Sequence, residues 1–126
     1  MKTKTKWILA ITGFFIFCVP MGYWAYAMTQ PGKYDALARC LVDKEVKFYG
    51  AFWCSVCEKQ KRVFGLSAKL LPYVECSPPS RQGQFEICTK AGVEMYPTWV
   101  LGDGEILPGL RTPEELAKLT SCESSL

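Results

Sequence analysis

Apolar and polar positions alternate along this chain in three distinct ways. From Trp7 to Met28 the sequence "WILAITGFFIFCVPMGYWAYAM" is apolar throughout, and no charged residue appears between Lys6 and Lys33. That length suits a bilayer-crossing helix. From Tyr34 to Lys44, "YDALARCLVDK" has helical spacing and places Leu37, Cys40 and Leu41 on one face. From Val46 to Trp53, "VKFYGAFW" is a continuous β-prone run of the kind found in buried central strands. "CEKQKRVFG" then returns to helical spacing, with basic residues on one side, Val63 and Phe64 on the other, and a stop at Gly65.

The remaining elements follow from turn chemistry. "LLPYVEC", residues 70–76, reads as a short strand, and "SPPSRQG" as a loop. "QFEICTKA" is a short helix capped by Gly92. "YPTWVLG" and "EILPG" are two strands joined at Gly102-Asp103-Gly104. In "RTPEELAKLTSC", Thr112 is placed as N-cap, Pro113 at the first helical position and Glu115 three residues on. The predicted order is helix, strand, helix, strand, helix, strand, strand, helix. Such alternation indicates an α/β fold, a mixed sheet flanked by helices, preceded by the N-terminal hydrophobic helix.

The boundaries are expected at residues 1–28 for a transmembrane anchor or signal peptide, 29–33 for a linker and 34–126 for the folded domain. Lys2, Lys4 and Lys6 would hold the N-terminus in the cytoplasm and send the body outward. In the cleaved alternative Ala25-Tyr26-Ala27 is the processing site. Either way the body lies outside the cytoplasm, in the periplasm, at the cell surface or secreted, where disulfides persist.

The 126 residues suffice for one domain with a core. The formal charge of +3 equals the contribution of the three N-terminal lysines, so the body is neutral and offers no argument for nucleic-acid binding. Histidine is absent and cysteine occurs 7 times. Imidazole chemistry is thereby excluded, and a zinc site would need thiolates or carboxylates throughout.

The chemistry concentrates in "WCSVC", residues 53–57. A strand feeding CxxC into a helix is the context in which that motif reads as redox-active. At a helix N-terminus the positive end of the dipole favours thiolate. Cys54 is therefore expected as the exposed, acidic nucleophile and Cys57, one turn in, as the buried resolving partner. Ser55 and Val56 add no charge, which predicts milder acidification than in strong oxidants. Phe48 on the incoming strand puts no carboxylate beneath the pair. Trp53 would line the approach. A cis Tyr96–Pro97 bond would leave the backbone at Tyr96 free to pair with a substrate peptide, next to the sulfurs. Half of a zinc site and an inert bridge are the competing readings. From another functional class, two soft thiolates could carry Cu(I).

Together "FYGAFWCSVCEKQKRVFG", "LPYVEC", Cys88 and "YPTWVL" resemble the thioredoxin-like domain fused to, or associated with, bacterial homologues of vitamin K epoxide reductase. The resemblance spans about residues 34–122. It implies that Cys54 and Cys57 carry electrons from the thiols of exported proteins to a membrane quinone reductase, here a separate chain, with no cofactor beyond the redox disulfide. Many relatives have Pro-His between the cysteines where this chain has Ser-Val, which leaves a reductase or isomerase as the alternative direction. The resemblance agrees with a Cys76–Cys88 bridge across the proline-rich loop. Cys40 and Cys122 are then left to tie the first helix to the last or to remain as buried thiols. Such a long closure would stabilise by about 4 kcal/mol.

Overall fold

The computed structural model describes residues 16, 18–27 and 29–125. The chain divides into two units, Met1–Gln30 and Pro31–Leu126. In the first, residues 18–27 are helical, Val19, Met21, Tyr23, Trp24 and Tyr26 are exposed, and the Thr29 hydroxyl donates to the Tyr26 carbonyl. Much of the 7–28 span read as anchor or signal peptide lies outside the described residues. Among the described residues, no helix is long and apolar enough to cross a membrane.

The second unit runs α1 (Asp35–Asp43), β1 (Lys47–Gly50), α2 (Ser55–Phe64), a 3-10 segment (Gly65–Leu70), β2 (Tyr73–Glu75), α3 (Glu86–Lys90), β3 (Thr98–Val100), β4 (Ile106–Pro108), α4 (Pro113–Leu119) and a terminal 3-10 turn (Glu123–Ser125). The four strands form one mixed sheet in the order β2-β1-β3-β4. β1 and β2 are parallel, with Gly50 opposite Glu75, while β1–β3 and β3–β4 are antiparallel.

Side-chain alternation along β1 sends Phe48 and Tyr49 to opposite faces. Phe48 stacks on Trp99 at 4.6 Å and joins the larger core with Leu37, Leu41, Phe64, Leu116 and Ala117. Tyr49 packs on the other face with Cys76, Cys88 and Val93. α1, α2 and α4 thus cover one face and α3 the other. Thr112 caps α4 by accepting from the Glu115 N–H while the Glu115 carboxylate accepts from the Thr112 N–H, so the expected capping box is present.

Several predicted boundaries move. The strand expected over 46–53 ends at Gly50, because the chain must turn to enter α2, and the Cys54 N–H closes that turn on the Ala51 carbonyl at 2.9 Å. The strand expected over 70–76 begins only at Tyr73, after Pro72. Gly65 ends α2 at a positive φ of 56°, yet the chain continues as the 3-10 segment. Gly32 packs tightly: a Cβ there would lie 2.7 Å from the Asp35 carboxylate and would run into Ser67. The backbone at Tyr34 is also held, its N–H donating to Ser67 Oγ.

Two disulfides staple this unit. Cys76–Cys88 spans 12 residues and links the end of β2 to α3. Cys40–Cys122 spans 82 residues and links α1 to the segment after α4. Cys76, Cys88 and Cys122 are fully buried and Cys40 is partly buried, each against the apolar clusters described above.

Candidate active site: a dithiol at a helix tip

Cys54 stands at the N-cap of α2 with extended backbone (φ −80°, ψ 111°), and its sulfur accepts the Cys57 N–H at 3.2 Å. Cys54 therefore caps the helix rather than occupying its first position. One of the orphan N–H groups of the first helical turn is thereby satisfied by the sulfur. The structure contains both Cys54 and Cys57 as free thiols.

The expectation of an exposed Cys54 needs correcting. Its residue is only 7% exposed, against 0% for Cys57. Folding the sulfur back over the helix tip is what encloses it. The asymmetry survives in weaker form: Cys54 retains a solvent opening and Cys57 has none. Burial, followed by the hydrogen bond with Cys54, pushes the Cys57 thiol up from 9.0 to about 12. Cys57 is thus a thiol at neutral pH.

Trp53 is half-exposed beside the pair, its indole N–H donating to Ser77 Oγ at 2.6 Å and its ring meeting Tyr96 edge-on at 6.0 Å. Tyr96 in turn donates its hydroxyl to Gln84 Oε1, and Gln84 Nε2 holds the Val93 carbonyl at 2.9 Å. The Tyr96–Pro97 bond is cis. Pro97 itself is buried, so Tyr96 and not the proline ring faces outward. Trp53 and Tyr96 are brought together. Phe52, Val56 and Phe85 add exposed apolar surface around the helix tip. A groove lined by Phe52, Glu75, Ser77, Pro79 and Phe85 opens alongside.

Sequence reasoning missed Glu75 and Tyr73. Glu75 Oε1 accepts the N–H groups of Phe52 at 3.2 Å and Ser77 at 2.8 Å, tying the loop before Cys54 to the end of β2. Its Oε2 accepts the Tyr73 hydroxyl at 2.7 Å. The strand running to Phe48 does lack a carboxylate, but the neighbouring strand supplies one. The signal was present in "YVEC": residues two apart on a strand share a face. Only the β1–β2 register shows that this face borders the dithiol. Among the described residues, no group of three or more Cys, Asp or Glu side chains is arranged to hold a metal ion.

No protein-family model matches the chain. It is similar to a curated protein of Arabidopsis thaliana named thiol-disulfide oxidoreductase LTO1, with 44% identity over 89 residues, 68% of this chain. The matched stretch is 23% of that relative, so the chain spans about a quarter of its length. A capped, asymmetric dithiol on a mixed α/β sheet and a relative named for thiol–disulfide exchange together support a redox domain of the thioredoxin type.

Proposed function

We propose that the body of this chain is a thioredoxin-like thiol–disulfide oxidoreductase that promotes disulfide formation in exported proteins. The observation that carries this is the division of labour at the tip of α2. Cys54 caps the helix and keeps an opening to solvent, while Cys57 is sealed and held as a thiol.

In the oxidising direction a client thiolate attacks Cys54 Sγ of the disulfide form. The Cys54–Cys57 bond breaks, and its electron pair leaves on Cys57, which takes up a proton. A second client thiolate then attacks the client sulfur of the mixed disulfide. Cys54 leaves as thiolate, the client has lost two electrons, and the pair has gained them. Trp53 and Tyr96 flank the sulfurs as the surface on which the client polypeptide lies. The remaining parts of the proposal are that the N-terminal segment holds the domain outside the cytoplasm and that a membrane quinone reductase, resembling vitamin K epoxide reductase, reoxidises the pair. The two structural bridges, which suit an oxidising compartment, support it.

The test is trapping. A Cys57→Ala variant should accumulate disulfide-linked clients through Cys54, and Cys54→Ala should not. Equal trapping by both variants would overturn the assignment of roles. A reduction potential near thioredoxin's, about −270 mV, would overturn the oxidising direction.

A further inference from the structure

A third side chain borders Cys57. Gly50 has no Cβ, and an added one would sit 3.0 Å from Cys57 Sγ, 2.9 Å from Tyr73 Cε2 and 3.4 Å from Tyr73 Oη. The thiol and the phenol therefore both border the space that Gly50 leaves open.

The direction of the phenol's proton can be worked out. Glu75 Oε1 receives two backbone N–H groups, which can only donate. That leaves Oε2 as the free acceptor of the carboxylate. The Tyr73 hydroxyl must then donate to Oε2. With its one proton committed there, Tyr73 Oη has only lone pairs left for the gap over Gly50. Lone pairs favour a thiol, which can donate, and disfavour a thiolate.

We propose that Glu75 locks the Tyr73 hydroxyl as an acceptor, so that both are positioning residues that retain the proton on the resolving cysteine. This rests on the dithiol being the working pair. The lock makes the thiol the stable product when Cys57 leaves the disulfide, and it slows the reverse attack of Cys57 on a mixed disulfide.

Other charged and titratable groups around Cys57 are Cys54 at the helix cap, Glu58 and Lys61 on α2, and Tyr96 on the loop before β3. Lys61 pairs with Glu58 at 2.9 Å and lies 4.3 Å from the centre of the Tyr73 ring. Lys61 favours thiolate, in opposition to Cys54, while Cys57 and Glu75 both bear on Tyr96. None of these supplies or removes the Tyr73 proton.

Glu75→Gln reverses the lock. The two backbone donors keep the amide oxygen facing them, so the amide NH2 faces Tyr73 and donates to Oη. The phenol proton is released toward Cys57. The experiment uses the full chain carrying Cys18→Ser, reduced, and mixed with 5,5′-dithiobis(2-nitrobenzoate) at pH 7 in a stopped-flow instrument. Attack by Cys54 releases one thionitrobenzoate and leaves the other on Cys54. Cys57 then attacks Cys54 Sγ, forms the internal disulfide and releases the second. A fall of about one pH unit in the Cys57 titration, offset partly by weaker nucleophilicity, should accelerate the second release about threefold in Glu75→Gln.

In a Tyr73→Phe background the same substitution should give no acceleration. An equal acceleration there would show that Glu75 acts by charge alone and would overturn the lock, as would an unchanged or slower rate in the single variant. Tyr73→Phe leaves the Glu75 bonds to Phe52 and Ser77 in place and provides a second reading should Glu75→Gln fail to fold. It should give a smaller acceleration, and an unchanged or slower rate overturns the proposal. A normal second phase in the wild type, with no client trapped by Cys57→Ala, would sink the proposed function and leave the lock standing. No second phase in the wild type would overturn both.

Discussion

Gln60 lies on α2, is fully buried, and should be a large single contributor to the rigidity of the redox helix. Its Oε1 accepts the Arg111 N–H at 2.8 Å and the Trp99 indole N–H at 3.3 Å, and its Nε2 donates to the Arg111 carbonyl at 2.8 Å. One amide thus ties α2 to β3 and to the segment entering α4. Gln60→Leu keeps the volume and strands three partners. The Trp99 N–H is sealed in the core, and leaving it unpaired costs about 1–3 kcal/mol. The two Arg111 backbone groups lie nearer solvent, where water can replace part of the loss, about 0.5–1 kcal/mol each. Leucine's better transfer into the core offsets about 1 kcal/mol. The net expectation is a destabilisation of about 2 kcal/mol, or about 10 °C in the thermal midpoint for a body of this size. The assay is thermal and urea unfolding with both structural disulfides intact. Trp99→Phe removes the stranded donor, so the double variant should cost about 1 kcal/mol less than the sum of the two singles. A Gln60→Leu protein within 0.5 kcal/mol of wild type, or strict additivity in the cycle, would refute the reasoning.

Removing the Cys40–Cys122 bridge should cost about 4.5 kcal/mol and removing Cys76–Cys88 about 3 kcal/mol, from closures of 82 and 12 residues; denaturant midpoints in the reverse order would contradict the chain-entropy account. The raised Cys57 thiol makes a signed pH prediction. The unfolded thiol ionises near 9.0 and the folded one near 12, so the folded state holds the extra proton between them. This contribution is complete below pH 9 and is lost as pH rises toward 12. Reduced wild type should therefore lose stability over that window faster than Cys57→Ala, and parallel curves would count against it. Gly50→Ala should destabilise by about 1–3 kcal/mol, because its methyl would press on both Tyr73 and Cys57; crystallography or near-ultraviolet dichroism showing an unmoved Tyr73 in a fully stable variant would refute the crowding.

Local chemistry made much of the architecture legible. The order of elements, the capping box at Thr112 and the CxxC at the start of a helix all depend on residues close in sequence. The errors arose where tertiary geometry overrides local preference. "GAFW" has the composition of a strand, yet Ala51 to Trp53 must turn to present Cys54. Cys54 reads as an exposed tip residue, but its sulfur closes on the Cys57 N–H and is enclosed. The Glu75–Tyr73 pair could not be placed near Cys57 from periodicity, since the contact depends on Gly50 lying opposite Glu75 in a parallel pairing. A glycine in a buried strand was the one local hint that something else fills its side-chain space.

The Cys40–Cys122 bridge also determines where a mechanical load would travel. A pull applied through the chain on either side of the domain enters at Cys40 and leaves at Cys122, whose Cα atoms are 6.1 Å apart. The covalent link carries that tension, and residues 41–121, with the sheet, the dithiol and its lock, lie in a slack loop. Tension entering through the two flanks of the domain is therefore borne by one covalent bond and does not draw the redox site out of register.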